Sequence, residues 1–438
     1  MTPYEDAAAL DARRSAHRRY GWLSWAIGAA LFPVGALLVP HGTSPMTLAN
    51  FLDGTPGIVL WGVWALGIAA MFFGMCLLRG APLRQVLTAQ LTGGILIAAL
   101  TTATPSTDPY AYFVYGRWQA TGVNPWHPPP LRASDPDATW IATMLHNPPV
   151  PSVYGPAFVG FESALYRLAP SAPFATWVWM HRALMLLAAA LVTGLVRGPR
   201  IAYWGLNPLI MLEFAVAGHN DALMLAFVAL AMRVRIPLLA GMLAGVAGMV
   251  KLPALVVAVF LRKPVLSAVG AAFIVAALVL AYPHALTSRA LAMQTHLRGN
   301  SPVAALEKLL IHAHVPHADL IAAALILAAI ALVMHWSGHR WSRRNGPAAA
   351  SLALLAVTPY LQSWYLTWPL MCAPWISRKL RLLVLTAGAL AWLQDLGTIS
   401  KLPLHVSTAG FWLPLIALTL WLYVVPRIVR GHAMRPRT

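Results

Sequence analysis

The chain has 438 residues, of which 59% are hydrophobic and only 10% charged, against roughly 25% charged in an ordinary soluble domain. That balance excludes a soluble globular fold. The net charge of +18 does not indicate a nucleic-acid partner, because the basic residues sit in small clusters between apolar runs rather than in a stripe or tail, which is the pattern of membrane topology.

Taken in chain order, residues 1–20 are polar and basic (Arg13, Arg14, Arg18, Arg19) and read as a cytoplasmic tail rather than a cleaved leader. Apolar runs long enough to span, or paired as short helices, follow at 21–39, 57–78, 86–104, 174–196, 200–217, 219–233, 236–250, 252–262, 264–283, 318–336, 347–362, 364–376, 382–399 and 408–426. The runs at 252–262 and 364–376 are too short to cross alone and read as half-helices buried in protein. The predicted fold is therefore an all-α polytopic membrane protein of about 11–14 transmembrane or half-spanning helices. It forms one integral domain over 1–438, with two long loops at 105–173 and 284–317. Cys76 and Cys372 lie in or beside apolar segments, without metal-type spacing.

Orientation follows from the clusters Arg79/Arg84, Arg197/Arg200, Arg233/Arg235, Arg262/Lys263, Arg340/Arg343/Arg344 and Arg378/Lys379/Arg381. Together with both termini they place 22 of the 31 basic residues on one side if the N-terminus is cytoplasmic. The positive-inside rule favours that arrangement, which turns both long loops outward.

The first loop opens with TPSTDPYAYFVYGRWQATGVNPWHPPP, residues 104–130. Its prolines restrict the backbone and lower the entropy lost on ordering, so it can hold one shape over the bilayer. Asp108 stands where the third span surfaces. A partly buried carboxylate there can take the proton of an acceptor hydroxyl while a sugar leaves a lipid phosphate. The departing phosphate needs cations, for which Arg117 and Lys251 are candidates. Each has a plainer reading: Asp108 before Pro109 can cap the following amphipathic helix, Arg117 can pair with a loop carboxylate, and Lys251 can snorkel to an interface. A lysine at a helix centre costs about 2.5 to 3.5 kcal/mol on insertion scales, which otherwise places Lys251 against a polar cavity.

Further on, His219, Asn220 and Asp221 form a polar cluster at the junction of two spans; helix capping is the expected role of Asn220, and Asp221 has a mixed role. Glu213, just before it, is an intramembrane acid that must be paired or protonated. Trp364, Tyr365 and Trp368 suit an interfacial aromatic belt, or a groove for sugar or lipid. Glu162 and Asp395 have no assigned role.

The string DPYAYFVYGRWQATGVNPW resembles the first outward loop of bacterial GT-C polyprenyl-phosphate-sugar glycosyltransferases. It is most similar to the polyprenol-phosphate-mannose-dependent α-mannosyltransferases. Asp108, Tyr112, Tyr115, Gly116, Arg117, Gly122, Asn124, Pro125 and Trp126 carry the likeness; it continues in Tyr154-Gly155-Pro156, Gly218-His219-Asn220-Asp221, Lys251-Leu252-Pro253 and Trp364-Tyr365. The resemblance implies a GT-C bundle in the bacterial cytoplasmic membrane with an outward-facing active site. It implies a lipid-linked sugar donor, most simply polyprenyl-phosphate-mannose, a lipid or polysaccharide acceptor, and Asp108 as the catalytic aspartate. Tyr112, Tyr115, Asn124, Trp126, Tyr154, His219, Asn220, Asp221, Trp364 and Tyr365 would then contact substrate. Relatives often carry two adjacent acids where this chain has Thr107 before Asp108, so metal-independent chemistry without a cofactor is expected. A transferase for another sugar and a lipid or glycan flippase are the alternatives.

Overall fold

The computed structural model describes residues 3–37, 55–100, 106, 108–128, 151–196, 198, 200–285, 301–336, 345–358, 360–399 and 404–424. The remainder of the two long loops, Thr107, Arg197, the arginines at 340, 343 and 344 and the C-terminal arginines lie outside them, as do the side chains of Arg13, Arg14 and Asp395. Every regular element among the described residues is helical, as the composition required. The chain divides into two compact units, Met1–Ala292 and Met293–Thr438.

The first unit begins with α1 (Pro3–Ala36), which continues without a break from the basic tail into the first apolar run. It packs on α2 (Thr55–Leu77) through glycines seven residues apart. A Cβ on Gly28 would lie 2.5 Å from the Gly67 carbonyl, and one on Gly74 2.6 Å from the Gly21 carbonyl. Bare backbone on both sides lets two apolar helices touch closely where lipid offers no hydrophobic drive for association. α3 (Leu83–Leu100) follows, then α4 (Asp108–Ala120), α5 (Pro156–Leu168) and α6 (Phe174–Val196). The first long loop thus carries two helices, one more than its amphipathic start predicts.

After α6 the chain breaks repeatedly. Short turns at Ala202–Gly205 and Pro208–Ile210 lead into a π-helical stretch, Met211–Val216, and α7 (Asp221–Arg233) then departs at 118° to the Pro208–Val216 segment. α8 (Pro237–Val250), a 3-10 segment at Leu252–Phe260 and α9 (Pro264–Ala281) complete the unit. α8 and α9 meet at Gly241, Gly245 and Gly270, where added side chains would run into Ser267, Ala271 and Leu238 backbone.

The second unit contains α10 (Pro302–His312), α11 (Ala318–Trp336), α12 (Gly346–Val357), α13 (Arg378–Ile399) and α14 (Leu404–Thr419), with Trp364 and Tyr365 in a 3-10 turn before α13.

Among the described residues, α3, α6 and α9 are long and apolar enough to cross a membrane, and the bent Pro208–Val216/α7 pair passes the same test as one broken span. α9 leaves Val265, Val269, Phe273 and Leu280 exposed, and α2 leaves Val59, Leu66 and Phe73 exposed. Apolar faces of that kind on single helices are suited to hydrocarbon, not water. The molecule is a helical membrane protein.

Candidate active site

The site is built on the first turn of α4. Ser106 Oγ accepts the Asp108 amide at 3.1 Å, so the helix start is covered by Ser106. The Asp108 carboxylate is thereby left for other work: its Oδ2 accepts from the Tyr112 hydroxyl at 3.0 Å and the Tyr154 hydroxyl at 3.2 Å. Tyr112 is four residues on, which stacks it over Asp108 on one helix face. Among the described residues no donor reaches Oδ1, and the carboxylate side chain is 26% exposed. This is a carboxylate held on one oxygen and open on the other. Burial, followed by the charge of Asp108, raises the Tyr112 phenol well above the usual tyrosine range, so it remains a proton donor at any working pH. Tyr115 is pushed upward for the same reasons.

The aromatic loop residues place Tyr154. Gly122 adopts a left-handed φ of 83° that turns the chain after α4. Asn124 Oδ1 then accepts the Trp126 amide at 3.0 Å, and the buried Trp126 donates its indole N–H to the Tyr154 carbonyl at 2.8 Å. Ser152 bonds Pro125 O through its amide and accepts the Tyr154 amide on its hydroxyl. The Tyr154 ring meets Tyr112 edge-on at 5.1 Å and Phe158 at 5.2 Å. Asn124 and Trp126, expected at substrate, are thus committed to the scaffold that carries Tyr154. Gly155 is needed because a Cβ there would overlap the Met249 carbonyl, and Gly116 because one would lie 2.7 Å from Glu162 backbone.

The second polar cluster closes on the first. His219 is buried; its Nδ1 lies 2.8 Å from Glu213 Oε2, and its Nε2 lies 3.0 Å from Ser106 Oγ and 3.8 Å from Asp108 Oδ2. Glu213 is therefore paired, as an intramembrane acid must be. The capping role expected of Asn220 is corrected. It occupies the N-cap position of α7 but makes no cap bond, because its backbone is helical rather than extended, and both its amide atoms are buried without a hydrogen-bond partner among the described residues.

Lys251 needs correction too. Pro253 lacks the N–H needed to continue α8 and opens the 3-10 segment that follows; Lys251 sits in extended backbone at the break between the two, not at a helix centre. It neither snorkels nor stands alone: its Nζ lies 2.8 Å from Asp221 Oδ2, a fully buried carboxylate, and Lys251 itself remains 14% exposed. The charge of Asp221 also acts on Tyr112, which links this pair to the Asp108 face.

Arg117 is not brought into this group. It stands nine residues beyond Asp108 on α4, about 13 Å along the axis and half a turn out of phase. Trp364, Tyr365 and Trp368 pack on one another in the second unit, with centroids 5.8 and 5.0 Å apart.

Sequence reasoning left three buried groups without a role. His181 of α6 places Nε2 2.6 Å from the Gly218 carbonyl and Nδ1 3.0 Å from Glu162 of α5. Arg182 is buried beside it. The signal was present for two of them, His181 and Arg182, which are ionisable side chains inside the apolar run 174–196. Ser106 carried no signal, since a loop serine before a helix is ordinary.

The arrangement offers a partly exposed carboxylate, two phenols that fix it, and a lysine that retains some exposure, all at the edge of membrane-spanning helices. No curated protein and no solved structure gave a match. A family model described as alpha-(1->6)-mannopyranosyltransferase, N-terminal domain, matches residues 20–267, more than half of the chain and all of the site just described. The chain belongs to this MptA_B family and is a mannosyltransferase.

Proposed function

We propose that the protein transfers mannose from polyprenyl-phosphate-mannose to a hydroxyl of a lipid or polysaccharide acceptor, on the outer face of the bacterial cytoplasmic membrane, with its helices in a GT-C arrangement. The observation that carries this reading is the Asp108 carboxylate, bonded on Oδ2 by Tyr112 and Tyr154 while the side chain stays partly exposed. The acceptor O–H gives its proton to Asp108 as the acceptor oxygen bonds to the anomeric carbon. The carbon–oxygen bond to phosphate breaks with its electron pair on the phosphate, and Asp108 later releases the proton to water. A single displacement of this kind inverts the anomeric centre. Fixed dipoles and charges around such a step require no reorganisation as charge moves.

Lys251 is the cation for the leaving phosphate. Its ion pair with Asp221 fixes its position, and its side chain stays 14% exposed. Arg117 contributes at most through the membrane surface, given its place on the far side of α4. Asn220, whose buried amide has no hydrogen-bond partner among the described residues, is the side chain offered to a sugar hydroxyl. No step calls for a metal ion. The orientation rests on the basic clusters read from the sequence, which put the N-terminus in the cytoplasm and α4 outside.

The test is purified protein in vesicles, supplied with polyprenyl phosphates bearing labelled mannose, glucose or arabinose and with a membrane-lipid acceptor extract. Label should enter product from the mannose donor alone. Equal or greater transfer of another sugar would overturn the donor assignment.

A further inference from the structure

The acids around the site are already engaged. Glu162 is paired with His181, Glu213 with His219 and Asp221 with Lys251, while Asp108 Oδ2 accepts from two phenols. Arg182 of α6 has no such anion. It is 4% exposed, and among the described residues no carboxylate stands within ion-pair distance of it and no acceptor meets its Nε or Nη2. The exposed Trp179 ring lies 5.6 Å from its Cζ, and an aromatic face offsets only part of the cost of a buried charge.

The two unmatched atoms share one edge of the guanidinium plane. Nε–H and Nη2–H point the same way and are spaced for two oxygens of a single carboxylate or phosphate, a pairing that arginine makes and lysine does not. A buried edge without an acceptor is costly to keep. Depth adds to that cost, since Arg182 stands about 12 Å along α6 from Phe174 at 1.5 Å per residue. Ionisable groups inside a membrane segment pair with one another or mark the path of a substrate.

Three contacts tie the arginine to the site. The ring of His181, its neighbour in sequence, lies 5.4 Å from that of Tyr112, which puts Arg182 at the level of the Asp108 face along α6. A Cβ on Gly218 would lie 3.5 Å from Arg182 Cγ, so the turn leading into His219 and Asn220 packs on the arginine stem. The Arg182 charge also acts on Tyr110 in the first turn of α4.

We propose that the Nε–Nη2 edge of Arg182 is a bidentate binding site for the phosphate of a membrane lipid, supplied by the polyprenyl carrier; that choice of source rests on the donor reading above. A carrier phosphate has to reach the level of Asp108 for its sugar to be transferred, and the arginine stands at that level. In polyprenyl-phosphate-mannose the phosphate is a diester with a single negative charge. Once mannose has left, it is a monoester of roughly −1.5 to −2 at neutral pH, so the guanidinium holds the leaving group more strongly than the donor. Arg182 thus adds to Lys251, whose charge is shared with Asp221.

The test is equilibrium binding of radiolabelled polyprenyl phosphate, and separately of radiolabelled phosphatidylglycerol, to the full-length protein in a phosphate-free non-ionic detergent. Wild type is compared with Arg182→Met, which keeps most of the stem and removes the fork, and with Arg182→Lys, which keeps the charge alone. Methionine should weaken polyprenyl phosphate binding by roughly 10- to 100-fold, the range for hydrogen bonds to a charged group, and leave phosphatidylglycerol binding as it was. Lysine should fall between the two. If methionine weakens phosphatidylglycerol binding instead, the lipid-phosphate site stands and the carrier as its source is overturned. Wild-type affinity of Arg182→Met for both lipids overturns the site. Should the methionine variant fail to fold, Arg182→Lys decides: about a fivefold or greater loss of polyprenyl phosphate binding supports the site, and wild-type affinity for both lipids overturns it. The donor reading fails separately, if wild type takes up phosphatidylglycerol but no polyprenyl phosphate; it survives if polyprenyl phosphate binding is strong and indifferent to Arg182.

Discussion

Replacing Lys251 with methionine leaves Asp221, a fully buried carboxylate, without its 2.8 Å ion partner. Removing one member of a buried pair costs about 3–5 kcal/mol, because the surviving charge stays desolvated and uncompensated, whereas replacing both members with apolar groups is often neutral. Lys251 is 14% exposed, so water relieves part of the penalty and the lower end, about 3 kcal/mol, is expected. The double variant Lys251→Met/Asp221→Leu should recover most of that stability. Neither variant should recover donor binding, because both lack the ammonium proposed for the phosphate. The assay is a thermal unfolding scan in detergent beside a titration of KM for polyprenyl-phosphate-mannose. A double variant that regains both stability and wild-type KM would reduce Lys251 to a structural ion and refute its phosphate role. A single variant as stable as wild type would refute the energetics.

Tyr112→Phe and Tyr154→Phe each remove one hydrogen bond to the Asp108 carboxylate. Bonds to charged groups are worth about 1.5–3 kcal/mol, so kcat should fall by roughly 10- to 100-fold in each with folding intact, as read by initial rates and a thermal scan. Gly155→Ala places a methyl group against the Met249 carbonyl; overpacking of this kind costs about 1–3 kcal/mol and should lower the unfolding midpoint while shifting Tyr154 enough to reduce kcat. Arg117→Ala should leave kcat/KM within about threefold of wild type, which is less than 1 kcal/mol, while Lys251→Ala should not.

The membrane class of the fold was legible because it depends on composition and run length alone. The limits of α6 were read from sequence without error, 174–196 against Phe174–Val196. The run at 200–217 was not read as it is: an apolar periodicity does not reveal the π-helical stretch that aims Glu213 at His219. Lys251 shows the same limit in reverse. Pro253 was visible, but its effect of ending α8 at Val250 and setting the lysine at the break emerged only with the backbone in place. Asp108 was singled out from chemistry and position, and Tyr112 and Tyr154 from the family likeness; the hydrogen bonds that join the three were not legible. That Asn124 and Trp126 also prop Tyr154 was not legible, because an aromatic loop that binds a sugar and one that props a tyrosine have the same composition. Long-range pairs such as His219 with Ser106, 113 residues apart, leave no local trace. The flippase alternative has no remaining support, since the family of the chain is one of transferases.

The most direct test of the account is a comparison of wild type with Asp108→Asn under single-turnover conditions, using labelled polyprenyl-phosphate-mannose and saturating acceptor. Asparagine keeps an oxygen that can accept from Tyr112 and Tyr154, so the account predicts an unchanged unfolding midpoint, unchanged donor binding and no labelled product. Product formed at the wild-type rate by a folded Asp108→Asn protein would contradict it.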